Sequence, residues 1–160
     1  MKLEEATKLA GQIVDSIKHL CDPEHIMVVG SIRRKKAEVA DIDIVLIPQE
    51  WMWNTIIQKL KTDLQAHVSE AGQELARLFY GHFQIDIYRA RPETWGILTL
   101  IRTGSTEHNI KLCGRARAMG MMLSAKRGVI KDGKVIASRT EEDIFKALEL
   151  DFIEPEKREV

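Results

Sequence analysis

Three aspartates and a glycine-serine pair hold the chemical potential of this 160-residue chain. Asp41 and Asp43 flank Ile42 in the run Asp-Ile-Asp-Ile-Val-Leu-Ile, and Asp86 sits in Gln-Ile-Asp-Ile-Tyr. Both runs read as buried strands, where an isolated carboxylate is costly. Side chains alternate along a strand, so Asp41 and Asp43 face one way while Ile42 and Ile44 face a core. Two carboxylates about 6–7 Å apart on one face repel unless a cation lies between them. Asp86 completes the set if its strand is adjacent. Strand-end aspartates also cap loops, and a lone Asp-x-Asp fits that role. A third aspartate in the same context points instead to a hard, all-oxygen site for divalent metal and phosphate chemistry.

Gly30-Ser31 ends the apolar run His-Ile-Met-Val-Val and opens a turn. Glycine lets backbone approach a ligand closely, and a strand entering a helical turn exposes N–H groups and here a hydroxyl. Arg33 and Arg34 follow, and an arginine fork suits phosphate oxygens. Gly-Ser alone is a weak signal; its offset from Asp41 makes it specific.

These residues need elements to position them. Apolar spacing predicts an amphipathic helix over 3–20, stopped by Asp22-Pro23, then strands at 25–29 and 41–47, the latter closed by Pro48. A helix is predicted over 51–66, and strands at 75–80 and 82–88 around Gly81. Pro92 opens a helix through Leu100, Thr103-Gly104-Ser105 breaks it, and Ser105 caps another that runs to about Met119. Asp132-Gly133 predicts a hairpin within 121–138, and Thr140-Glu141-Glu142-Asp143 a capped final helix. Trp51, Trp53 and Trp95 read as core, His108 as a surface residue of a first helical turn, and Met119, Met121 and Met122 as helix-end packing. His19, His25, His67 and His82 show no ligand spacing. There are no internal repeats.

Composition bounds the class. The chain is long enough for a real core, 44% hydrophobic and 30% charged, as soluble globular domains are. No apolar run reaches membrane-spanning length, and Met1-Lys2-Leu3-Glu4-Glu5 is too polar for a signal peptide. Cys21 and Cys113 read as reduced thiols of a cytosolic protein. The net charge of zero conceals an asymmetry: −3 over residues 1–88, +8 over 89–139 and −5 over 140–160. The basic segment suggests a polyanion contact. A soft boundary falls near residue 90.

Gly-Ser, nine residues, then Asp-x-Asp resembles the signature of the polymerase-β-like nucleotidyltransferase superfamily. Thr103-Gly104-Ser105 with Glu107-His108-Asn109, the run Thr140-Glu141-Glu142-Asp143-Ile144-Phe145, and the closing Phe152-Ile153-x-Pro155-Glu156-x-Arg158-Glu159 resemble the thumb of family X DNA polymerases. The resemblance implies an α+β fold. A palm at residues 1–90 would be a mixed β-sheet with flanking helices, and a thumb at 91–160 a small helical and β-hairpin unit. It implies that Asp41, Asp43 and Asp86 are catalytic, bind two Mg²⁺ ions (Mn²⁺ substituting), and that Asp86 activates a primer 3′-hydroxyl. Gly30, Ser31 and Arg34 would hold the nucleotide's phosphates, Thr103 and Gly104 its sugar, and Asn109 the minor-groove edge of its base. Lys111, Arg115, Arg117, Lys126 and Arg127 would contact DNA backbone, with Arg102, Lys131 and Lys134 as further candidates. The implied activity is template-directed or gap-filling DNA synthesis from dNTPs, as in DNA repair, by a monomer that is cytoplasmic, nucleoid-associated or serves a virus or phage.

Departures from the family pattern bear on specificity. The aromatic that usually precedes Thr-Gly-Ser is replaced by Ile101-Arg102, so a weakened sugar gate and use of NTPs are expected. Cys113 stands where many members carry an arginine supporting the templating base pair, and Ala40 where a glycine precedes Asp-x-Asp. The family's lyase and phosphoesterase lobes have no counterpart in these residues. A template-independent terminal or NTP-using transferase is the alternative, and a non-catalytic nucleic-acid-binding relative is the third reading.

Overall fold

The computed structural model describes residues 1–159, and the chain divides into two compact units, Met1–Ala90 and Arg91–Val160. The first is built on a five-stranded mixed sheet. Its strands are β1 (Cys21–Val28), β2 (Asp41–Pro48), β3 (His67–Ala71), β4 (Leu75–Tyr80) and β5 (Phe83–Arg89), in the order β1-β2-β5-β4-β3. β2 and β5 run parallel, and every other pair is antiparallel. Helices α1 (Leu3–Ile17) and α3 (Trp53–Leu64) flank it, and the four-residue turn α2 (Gly30–Arg33) joins β1 to the loop before β2.

α1 forms because Leu9, Ala10, Ile13 and Ile17 recur on one face, while Glu4 and Glu5 complement the dipole of the first turn. Trp53, Ile56, Ile57 and Leu60 do the same in α3, which ends at Gln65 in a left-handed conformation. These apolar faces meet Ile42, Ile44 and Leu46 of β2, Ile85 and Ile87 of β5, and Ala76 and Leu78 of β4 in one core. The alternate residues of β2 and β5 therefore point away from the helices.

The second unit has helices α4 (Trp95–Thr103), α5 (Thr106–Ala118) and α6 (Glu141–Ala147). Its small antiparallel sheet comprises β6 (Met122–Ser124), β7 (Gly128–Lys131) and β8 (Lys134–Ala137), in that order. Ser105 caps α5 by accepting from the His108 amide, and Thr140 caps α6 by accepting from the Asp143 amide. Ile97, Leu100, Leu112, Val129, Ile144, Phe145 and Leu148 form a separate core. The class is α+β.

Several sequence expectations shift. β1 begins at Cys21, so Asp22-Pro23 lies within it. An edge strand tolerates proline, and the register breaks between Cys21 and Ile26. β3 was not expected, because as an exposed edge strand it carries no alternating apolar signal. The predicted hairpin gains a third strand, β6. Trp51 is 86% exposed rather than core, since it occupies a left-handed turn (φ 68°) ahead of α3. Trp53 is buried and Trp95 half-buried. His108 is buried, not at the surface. Both cysteines are free thiols. Among the described residues, no helix is long and apolar enough to cross a membrane.

Candidate active site

The register between β2 and β5 brings two of the three aspartates together. Asp43 pairs with Asp86 across the parallel ladder, and Asp41 pairs with Gln84. Asp41 and Asp43 lie half-exposed on the face that Ile42 and Ile44 turn away from. Gly30 closes one side. Its φ is 64°, and a Cβ there would fall 2.5 Å from Asp43 Oδ2. Only glycine suits both the backbone angle and the approach. Ser31, Arg33 and Arg34 follow in and after α2, each half-buried. The first N–H groups of such a turn lack partners within it.

Gly30→Ala tests this contact. It is expected to push Asp43 aside, at a stability cost of about 1 kcal/mol that a thermal melt measures.

Asp86 is the most enclosed of the three, 3% exposed. Its carboxylate is held on several sides. Arg77 donates from Nε to Oδ1 at 2.8 Å and from Nη2 to Oδ2 at 3.1 Å. Gln84 Nε2 donates to Oδ2 at 3.0 Å, and the Tyr88 hydroxyl lies 3.4 Å from the same oxygen. The fork geometry is the strong, bidentate kind. Asp86 in turn makes the Arg77 guanidinium hold its proton still more firmly. Arg77 was missed in the sequence, though a signal exists. The hairpin turning at Gly81-His82 pairs Tyr80 with Phe83, and counting outward sets Arg77 opposite Asp86.

The donor set fits divalent cations of the Mg²⁺ kind: three carboxylates, two in register on neighbouring strands, with oxygen as the ligand atom. Among the described residues, no three acidic, histidine or cysteine side chains already form a closed cage. Asp86 is paired with Arg77, the kind of counter-charge that a buried carboxylate requires.

The second unit's predicted nucleotide contacts lie at the end of α4 and the start of α5. Thr103 is buried, and its hydroxyl donates back to the Thr99 carbonyl at 2.6 Å. The Gly104-Ser105 peptide bond is cis. Asn109 donates from Nδ2 to the Ile101 carbonyl at 3.0 Å, leaving Oδ1 buried without a partner. Ile101 is half-buried and Arg102 exposed. Lys111, Arg117, Lys126 and Arg127 are exposed cations. Arg115 commits part of its fork internally, donating to the Leu148 carbonyl at 2.9 Å.

A family model for the DNA polymerase beta palm matches residues 1–108, and one for the DNA polymerase beta thumb matches residues 98–159. The chain belongs to the DNA polymerase beta family. It has the family X pairing of palm and thumb, the architecture of family X-like nucleotidyltransferases. Divalent-metal use, nucleotide substrates and DNA are the family's general chemistry.

His108 stands beside the thumb turn. Its ring is buried, 6.1 Å from that of Phe145, and neither nitrogen has a hydrogen-bond partner. Burial, with the positive charges of Arg158 and Lys111 and against the pull of Glu141, lowers its pKa to about 4. The unfolded imidazole titrates near 6.5. The unfolded chain therefore binds a proton first as pH falls, and stability declines from about 6.5 down to about 4. Melts across this range are expected to show that loss, and His108→Phe to flatten it.

Proposed function

We propose that this chain is the palm and thumb of a family X-like DNA polymerase that adds deoxynucleotides to a primer 3′-hydroxyl, on a template or across a short gap. The observation that carries the reading is the β2–β5 register. It places Asp43 beside Asp86 on one sheet face with Asp41, against the Gly30-Ser31 turn. Asp41, Asp43 and Asp86 would hold two Mg²⁺ ions, or Mn²⁺. When bound, these ions lower the pKa of the attacking hydroxyl and offset charge on the triphosphate.

Asp86 accepts the proton of the primer hydroxyl, and its release from Arg77 frees the oxygens that this role needs. Ser31 and Arg34 bind the β and γ phosphates through a hydroxyl and a guanidinium fork. The chain at Thr103 and Gly104 meets the sugar through backbone, because the Thr103 hydroxyl is already engaged. The orphaned Oδ1 marks Asn109 as unsatisfied until a partner arrives. Lys111, Arg117, Lys126 and Arg127, with Arg115, neutralise backbone phosphates. Catalysis is then chiefly positioning and electrostatic stabilisation of an in-line displacement at the α-phosphate, with pyrophosphate leaving. A role in DNA repair, a monomeric state and a cytoplasmic location belong to the same proposal.

Primer extension on gapped duplex, open template-primer and single strand, with dNTPs or NTPs and Mg²⁺ or Mn²⁺, tests it. Template-matched addition of dNTPs is expected. Addition on single strands supports a terminal transferase. Equal use of NTPs assigns the weak gate to Ile101-Arg102, whereas strong dNTP preference removes that idea. Metal-dependent DNA binding without addition leaves a binding relative.

A further inference from the structure

The sequence motifs Thr140-Glu141-Glu142-Asp143 and Phe152 to Glu159 have no part in the reading above, yet they meet in a single buried cluster. Arg158 is fully buried, 0% exposed. Its Nη1 donates to Glu141 Oε2 at 2.9 Å, Nη2 lies 3.4 Å from Oε1, and Nε donates to the Ile153 carbonyl at 2.8 Å. The guanidinium is also 5.2 Å from the ring centroids of both Phe145 and Phe152. All three nitrogens of its fork are engaged, which fixes the side chain in one place in the fold.

The backbone of that same residue reaches the thumb turn. The Arg158 carbonyl accepts from the Ser105 amide at 2.9 Å and from the Ser105 hydroxyl at 2.7 Å. Ser105 Oγ meanwhile accepts from the His108 amide at 3.3 Å. One carbonyl, 53 residues away in sequence, thus fastens the turn that follows Thr103 and Gly104 and begins α5. A buried ion pair is weak ground for stability, since apolar groups of like volume often serve as well or better. Its better-attested use is to fix register.

We propose that Arg158 and Glu141 are positioning residues for the nucleotide: the pair fixes the Arg158 carbonyl, and the carbonyl fixes the Thr103-Gly104-Ser105 turn. The inference rests on the reading of that turn as the sugar contact. A misplacement of about 1 Å in such a site costs up to about a hundredfold.

The test uses the full chain with two variants: Arg158→Lys, and the apolar pair Glu141→Leu with Arg158→Met. Three readouts are taken: the melting temperature, amide exchange at Ser105, and dissociation of a non-hydrolysable dNTP analogue with the KM and kcat of extension. Faster Ser105 exchange and weaker nucleotide binding are expected, about tenfold or more in dissociation constant and KM, with kcat moved less. Arg158→Lys, which keeps the charge but not the fork, should fall between wild type and the pair, and it alone decides the matter if the pair does not fold. A lowered melting temperature with Ser105 exchange and nucleotide affinity unchanged in the folded protein overturns the proposal. Unchanged Ser105 exchange overturns it whatever the affinity. If wild type itself binds no dNTP, the sugar-contact reading has failed instead, and exchange at Ser105 still reports whether the pair holds the turn.

Discussion

Asp86→Ala is expected to lower nucleotide incorporation by at least about 10³-fold, with little loss of fold. Asp86 is the most buried of the three carboxylates and is clasped by a bidentate arginine. On the proposed function, removing it deletes both the oxygens offered to the cation and the acceptor for the primer's proton. The stability effect stays small because Arg77 keeps about a third of its side chain in solvent, where a guanidinium rehydrates readily. Its ion pair then contributes little to stability. Single-turnover extension and a thermal melt measure the two quantities. Arg77→Ala should reverse the signature. It strands a carboxylate of 3% exposure without its counter-charge, costing about 2 kcal/mol in metal-free buffer. Mg²⁺ should then raise the melting temperature of the variant more than that of wild type. An equal response in both proteins would mean that the cation and Arg77 do not compete for Asp86.

The second large effect lies in the thumb. Glu141→Ala should destabilise the protein by about 3–5 kcal/mol, because it leaves a charged Arg158 inside the structure with no counter-ion. Arg158 is fully enclosed and faces two phenylalanine rings, so it has no route to water. Glu141→Gln should cost less, since an amide oxygen still accepts from the fork. Urea unfolding followed at residues of the second unit gives the number. A loss below about 1 kcal/mol would place the pair among those solvated well enough to matter little. Thr140 makes a useful control. Its cap to the Asp143 amide is exposed, and Thr140→Ala should cost only about 1 kcal/mol.

Much of the site was legible without coordinates, because it is written in local rules. Alternation put Asp41 and Asp43 on one face with Ile42 and Ile44 on the other, and the strand has that pattern. Ser105 and Thr140 announced two helix starts through their capping chemistry, and both side chains accept the expected amide hydrogens. Asp132-Gly133 placed a hairpin between β7 and β8. What misled was also physical. Trp51 lies next to a helical repeat but sits in a left-handed turn that sends it to solvent. His108 has a polar side chain in a first helical turn, a position that usually faces water, yet it is buried beside Phe145 from a distant segment.

By itself, then, the order of residues determined which side chains share a strand face, where helices begin, and the family signature of Gly30-Ser31 and Asp41-x-Asp43. Those depend on near neighbours and on backbone periods of two and 3.6. Tertiary structure alone decided the partners. Strand order put β5 beside β2, so Asp86 meets Asp43 rather than another residue. The β4 register supplied Arg77 as its counter-charge, and the fold of residues 152–159 carried Arg158 to Glu141 and Ser105. A buried charge must find an opposite one wherever the chain can deliver it, and no spacing rule says which of 24 cations that will be.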